Sequence, residues 1–296
     1  MILKKKIIIF ILFIVFISSC AVEQEQKTLT PVKVQLKWLH QAQFAGMYVA
    51  NDKGFYKEQG IEISELLPFD FVNFPIDSVE NKKVDFGITG ADELIIAKSQ
   101  GKADHVKAIA VIYKINPVCL YTLEESGINE PDDLIGKTVG IERAADGTDI
   151  NVGILYYSML NNLNIDKNEI NEVTIGYDAT ELLNGDVDVS SGYIINEPDF
   201  VTQNGKKVNI ILTADYGVNM YGDVIIVHED TINNNPELVE NFLRATLQGW
   251  QYAVEHEDES LDITLNYAKD SNKEHQKYML ESSIPLIHTG DSQVGM

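Results

Sequence analysis

The chain has 296 residues, with 45 acidic side chains against 23 lysines and arginines and a formal net charge of −22. So acidic a surface argues against nucleic acid as a partner and offers no polybasic patch to a membrane. Cys20 and Cys119 are the two cysteines, and Cys20 reads as part of a leader, so neither an internal disulfide nor a cysteine metal site is expected.

Residues 1–20 carry three consecutive lysines, Lys4, Lys5 and Lys6, and then an unbroken apolar run from Ile7 to Ile17. That run is too short for a transmembrane helix and matches the core of a secretory signal. Ile17-Ser18-Ser19-Cys20 fits a bacterial lipobox, so cleavage before Cys20 and acylation of its thiol are expected. An uncleaved N-terminal anchor is the alternative, and either reading places the rest of the chain outside the cytoplasmic membrane. Residues 21–30 are polar and unpatterned, as suits a tether. Without the three leader lysines the net charge falls from −22 to −25. The remaining length is enough for two lobes.

The folded region opens with period-two alternation, Val32, Val34, Leu36 and Trp38, running into a helix near Gln43. Further strands are predicted at 61–66, 84–88, 106–113, 136–141, 172–175, 187–192, 208–213 and 224–227. Helices are predicted at 76–81, 91–99, 131–135, 149–163 and 180–184. From Asn235-Pro236 onward the pattern is nearly all helical, with Trp250 and Tyr252 read as packing and 255–259 as a solvated loop. Alternating signals of this kind predict a mainly parallel α/β fold. The division is discontinuous, with lobe one over 31–114 plus 217–296 and lobe two over 115–216. The crossings fall near Tyr113 to Pro117 and near Tyr216 to Gly222, and a ligand would lie between the lobes.

No GxSxG, P-loop, CxxC or HExxH motif is present, and the six histidines are scattered. His228-Glu229 reads as a satisfied polar pair, and Cys119 as a buried core thiol. The remaining signals are for binding. Trp38 stands beside the amides of Gln41 and Gln43 at a strand-to-helix junction, where small ligands bind in α/β sheets. Thr89 and Gly90 end a strand and could donate to a ligand or simply cap a helix. Gly147 and Thr148 follow Asp146 at a third junction. Tyr193 and Glu197 follow a buried strand. Glu197 could accept from an amino group and a ring N–H, as an aminopyrimidine offers, or serve as an ordinary acid at a helix start. Trp38, Tyr113, Tyr193 and Tyr221 all fall at strand ends or crossings, which favours a planar ligand.

The segment QLKWLHQAQFAGMYVANDKGFYKEQG at 35–60 resembles the opening of the SsuA/THI5-like (NMT1) family of solute-binding proteins. LIGKTVG at 134–140, LNGDVD at 183–188 and NPELVENFL at 235–243 extend the resemblance over nearly the whole mature chain. It implies a two-lobed type II periplasmic-binding fold and a monomer that hands a small organic molecule, often a thiamine-pyrimidine precursor, to ABC permease and ATPase subunits. A eukaryotic member is a pyrimidine synthase that consumes its own histidine and bound pyridoxal phosphate. The positions matching its lysine, histidine and cysteine-rich run are Thr89, Glu93 and residues 219–223, so neither that activity nor a cofactor is expected. A sensor module of a signalling protein is an alternative that the lipobox disfavours. Other ligands stay open: a riboflavin precursor, a polyamine, or an alkanesulfonate, the last disfavoured because Arg143 is the one arginine near a candidate junction.

Overall fold

A computed structural model describes residues 28–143 and 152–287. Cys20, with the leader and most of the tether, and the junction residues Gly147 and Thr148 lie outside the described residues. The strands are β1 (Thr30–Gln35), β2 (Ile61–Leu67), β3 (Phe86–Gly90), β4 (Val106–Val111), β5 (Val118–Leu123), β6 (Thr138–Glu142), β7 (Asn171–Ile175), β8 (Val189–Tyr193), β9 (Val208–Leu212) and β10 (Asp223–His228). Between them lie helices α1 (Ala45–Asp52), α2 (Phe55–Glu58), α3 (Pro75–Glu80), α4 (Ala91–Ser99), α5 (Gly153–Leu163), α6 (Thr180–Asn184) and α7 (Glu197–Gln203). After β10 the chain is helical: α8 (Glu229–Asn234), α9 (Pro236–Glu255), α10 (Glu257–Tyr267) and α11 (Lys273–Ile287).

The strands form two five-stranded sheets, ordered β2-β1-β3-β10-β4 and β7-β6-β8-β5-β9. The architecture is the two-lobed α/β fold of periplasmic binding proteins. Each sheet has one strand against the grain. β10 pairs antiparallel with β3 and β4, and β5 does so with β8 and β9. These are the first strands after each crossing, where the chain enters a new sheet without a crossover helix to set its direction. Both are central and buried on both faces, so they read as continuous apolar runs, Val-Ile-Ile-Val and Val-Cys-Leu, rather than as alternation. Cys119 of β5 is a buried free thiol.

The two crossings lie side by side. Gly222 N–H donates to Tyr113 O at 2.8 Å, and the Asn116 side chain donates to Tyr221 O at 3.1 Å. A Cβ on Gly222 would stand 2.8 Å from Tyr113 Cβ, so only glycine permits this approach. The helical tail covers the first sheet. Pro236 opens α9 and the Asn235 side chain accepts from Leu238 N–H at 3.3 Å, an ordinary helix start. α9 buries Phe242, Ala245, Gly249 and Trp250 against α1. That crossing depends on two glycines. A Cβ on Gly46 would fall 2.2 Å from the Trp250 ring, and one on Gly249 would fall 2.1 Å from Gly46 O.

Three local expectations need correction. The acids at 257–259 form the first turn of α10, where they complement the helix N-terminus; only His256 separates it from α9. Residues 131–134 make a 3₁₀ turn rather than an α-helix. His228 and Glu229 do not pair with each other. His228 Nδ1 accepts from Asp230 N–H at 3.0 Å and caps α8, while Glu229 binds His105 at 2.7 Å and Lys107 at 3.0 Å.

Candidate ligand-binding site

The carboxyl ends of β1 and β3 in one lobe face those of β6 and β8 in the other, the place where open α/β sheets bind ligands. Beyond β1 the chain bends over residues 37–40, held by Leu36 N–H on Leu67 O at 2.8 Å and Phe69 N–H on Trp38 O at 3.0 Å. This pins Lys37 and Trp38 at the mouth of the cleft. One cavity between the lobes is lined by Lys37, Trp38, Gln41 and Gln43 from the first lobe and by Glu142, Tyr193, Asn196 and Glu197 from the second. It measures about 350 Å³ with its mouth. Drug-sized ligands occupy pockets of roughly 300–1,000 Å³, and a second, wider gap between the lobes, about 900 Å³ with its mouth, is lined by Asp92, Glu93 and Ile96 of α4 and by Gly153 and Ile154 of α5.

Lys37, whose side chain is 4% exposed, is the electrostatic centre. Its ammonium donates to Tyr193 Oη at 3.0 Å and lies 3.5 Å from both Glu93 Oε1 and Asp223 Oδ1. Burial alone would discharge it. The charges of Glu93, and then Tyr193, Asp223 and Asp92, outweigh burial and hold its pKa well above the usual lysine value. Asp223 is in turn raised, first by burial, and its other oxygen accepts from Gln43 Nε2 at 2.8 Å. Gln41 Nε2 donates to Gln43 Oε1 at 2.7 Å. The relay Gln41, Gln43, Asp223, Lys37, Tyr193 therefore spans both lobes.

Glu197 opens α7 and folds back over the end of β8. Its Oε2 accepts Tyr193 N–H at 2.7 Å and its Oε1 accepts from the Asn196 side chain. Gly192 permits this, since a Cβ there would lie 2.6 Å from Glu197 Oε2. Burial pushes the Glu197 carboxyl up to about 7. Asn196 is fixed by His275 of α11, whose Nε2 lies 2.9 Å from Asn196 Oδ1 and whose Nδ1 lies 2.7 Å from Asp199.

An aromatic rim closes the mouth. Trp38 lies 6.1 Å from Phe69 in a near-stacked pose and meets Phe71 and Tyr177 edge-on at 5.6 and 5.3 Å. Tyr177 belongs to the second lobe, so the rim also bridges the cleft. Phe71 holds φ of 64°, a left-handed backbone uncommon for a ring-bearing residue. Asp70 supports that turn by accepting from Val72 and Asn73 N–H at 3.0 and 2.7 Å.

The cavity thus gathers Trp38, Gln41, Gln43, Tyr193 and Glu197 of the residues singled out in the sequence. Others stand elsewhere. The Thr89 hydroxyl and Gly90 N–H both donate to Glu93, so these donors are spent within lobe one rather than offered to a ligand. Tyr113 is wholly buried in the lobe-one core, with its hydroxyl on Ser283 at 2.8 Å, and turns no ring face to the cleft. Tyr221 is 53% exposed and lines a separate groove at the crossings with Ile115 and Met220. Sequence reasoning missed Lys37, Glu142 and Asn196. Lys37 sits on the polar phase of the opening alternation, where a lysine ordinarily meets water. The one available signal was the acids Asp92, Glu93 and Asp223 at neighbouring strand ends.

A family model described as NMT1/THI5 like matches residues 41–260. The chain belongs to the NMT1/THI5-like family. It is 30% identical over 274 residues to the riboflavin-binding protein RibY of Chloroflexus aurantiacus, covering 88% of this chain and 74% of that one. It is 26% identical over 287 residues to a formylaminopyrimidine-binding protein of Halalkalibacterium halodurans, covering 95% and 84%. Among solved structures it resembles the periplasmic aliphatic sulphonate binding protein SsuA of Escherichia coli, with a TM-score of 0.69 and 15% identity over 86% of this chain and 79% of that chain. That likeness speaks for the fold alone.

Proposed function

We propose that this NMT1/THI5-like protein is the solute-binding component of an ABC importer and captures a small planar heterocycle such as a thiamine pyrimidine precursor. It works outside the cytoplasmic membrane, held there by lipid on Cys20. The observation that carries the ligand reading is the pairing, at one interlobe cavity, of two aromatic rings, Trp38 and Tyr193, with the Glu197 carboxylate. Rings stack on a flat face, and a carboxylate accepts from an amino group and a ring N–H. The printed name of the Halalkalibacterium relative points the same way.

A sulfonate suits the cavity poorly. Among the described residues its one lining cation, Lys37, is already shared among Glu93, Asp223 and Tyr193, while the carboxylates of Glu142 and Glu197 face the same space. Riboflavin is the second reading, favoured by the name of the Chloroflexus relative. Its three fused rings need a far wider opening of the rim than a single ring does. The protein binds and releases its ligand without changing it.

Titration calorimetry with 4-amino-5-hydroxymethyl-2-methylpyrimidine, riboflavin and an alkanesulfonate separates these readings. Binding of the pyrimidine in preference to the other two is expected. Tight binding of the sulfonate alone, or conversion of the pyrimidine over time, would overturn the proposal. For the anchor, Cys20→Ala in a bacterial host is expected to release soluble or unprocessed protein. Unchanged membrane association of a normally cleaved form would contradict it.

A further inference from the structure

Glu142 closes β6, is 6% exposed, and lines the same cavity as Glu197. Its backbone N–H is spent on Ser191 Oγ at 3.1 Å, and among the described residues no donor reaches its carboxylate. Glu197 is different, taking N–H groups from Tyr193 and Asn196. Nearby cations are committed elsewhere. Lys37 serves Tyr193, Glu93 and Asp223, and Arg143 serves Glu172 at 3.0 Å and Tyr157 at 2.9 Å.

Apart from Lys37, which lines the same cavity, the titratable groups among the described residues that face the pair from other elements bring no positive charge. Cys119 and Tyr121 of β5 face both carboxylates, Tyr177 faces Glu142, and Tyr278 of α11 faces Glu197. On the α7 side the Asp199 carboxylate is taken by His275. Two buried carboxylates thus look into one small space, and among the described residues no cation pairs with either of them. Burial raises both above the ordinary carboxylate range, and for Glu142 the neighbouring Glu197 adds to it. The empty pair therefore keeps a proton to higher pH than ordinary carboxylates do.

We propose that the site takes its flat ring as a monocation, a protonated amino-heterocycle whose ring N–H⁺ and amino group lie between Glu142 and Glu197. This rests on the planar-heterocycle reading above and names the charge state that the site selects. A neutral base takes the proton the pair already holds: one carboxyl O–H bond breaks, one ring N–H bond forms, and no proton enters or leaves. A ring that arrives protonated displaces the pair's proton to solvent. Affinity then follows a bell. It is flat where free ring and empty pair hold one proton between them. It falls by up to about tenfold per pH unit where they hold two, on the acid side, or none, on the alkaline side.

The probe is 4-amino-5-hydroxymethyl-2-methylpyrimidine, with thymine as a ring of the same size that stays uncharged near neutral pH. In the parent, the bound pyrimidine is expected to show the ultraviolet spectrum of its acid form at a pH where the free ring is neutral. Thymine is expected to bind at least about a hundredfold more weakly. Glu142→Gln should cost about tenfold or more in affinity for the pyrimidine at neutral pH, and it should move the alkaline limb of the bell to lower pH. The same variant should not weaken thymine. It should also melt no lower than the parent at alkaline pH, because a like-charged neighbour has been removed. If the parent binds the pyrimidine with the neutral-ring spectrum and Glu142→Gln leaves the pH profile unchanged, this inference fails and the heterocycle reading stands. If the parent does not bind the pyrimidine at any pH where it is folded, both fail.

Discussion

Lys37 and the acids around it set the residue-scale energetics of the cleft. Removing one member of a buried ion pair leaves the other charge uncompensated and costs roughly 3–5 kcal/mol. Lys37→Met leaves Glu93, Asp223 and Asp92 facing one another inside lobe one, so a loss in that range is expected above neutral pH. The loss should shrink in acid, where the carboxylates take protons; denaturant titration at two pH values measures both. Glu197 gives a second pH signature. Its folded carboxyl is raised to about 7 from a usual value of 4.5, so its contribution to stability is complete below 4.5 and lost as pH climbs through about 7. Asp92, also raised to about 7 by burial and then by Glu93, acts in the same direction. The empty protein should therefore melt at lower temperature at pH 8 than at pH 5, and Glu197→Gln should flatten that slope. An equal slope in the variant would show that Glu197 does not titrate in this window.

At the scale of elements, the α1–α9 crossing is the most exacting contact. Gly46 and Gly249 let the two helix backbones approach until a single added Cβ would overlap Trp250 or Gly46 O. Overpacking a rigid core costs about 1–3 kcal/mol, occasionally more. Gly249→Ala should sit at or above the top of that range, because the atom it meets is backbone and cannot rotate away. That is a fall of several degrees in melting temperature for a chain of this size, at roughly 2–4 °C per kcal/mol; a shift within about a degree would mean the helices can slide apart. Helices with strong local signals were legible in the sequence to the residue, as with α4 and α6. Strand ends drifted by one or two positions, because the hydrophobic run outlasts the ladder of hydrogen bonds. The reversed direction of β5 and β10 was not legible at all. An apolar run buried on both faces reads the same whichever way it points, and its partners lie far away in sequence. The cavity was half legible for the same reason. Trp38, Gln41 and Gln43 come from one continuous segment, whereas Lys37 becomes a site residue only when acids from β10 and α4 fold around it.

For the whole molecule, several contacts among the described residues bridge the cleft, and besides the Tyr278 hydroxyl on Ile194 O at 2.8 Å three stand out. These are the Lys37–Tyr193 hydrogen bond, the Trp38–Tyr177 rim, and the tail contact of His275 with Asn196 and Asp199. Opening would break the first two, with the paired crossings at Gly222 as the expected pivot. Tyr177→Ala removes the second lobe's share of the rim. It should raise the radius of gyration of the empty protein in solution scattering and speed ligand release, with the fold intact. Ligand should shrink the radius again, since a molecule bound to both lobes favours the closed state by its extra contacts. The central claim is that one flat ring sits between Trp38 and Tyr193 with Glu197 on its edge. Calorimetric titration of 4-amino-5-hydroxymethyl-2-methylpyrimidine into the parent, Trp38→Ala and Glu197→Gln tests it most directly. The account predicts clear binding by the parent, a loss of about tenfold or more for Glu197→Gln, and at least as large a loss for Trp38→Ala. Parent-like affinity in both variants would contradict it and reduce these residues to packing.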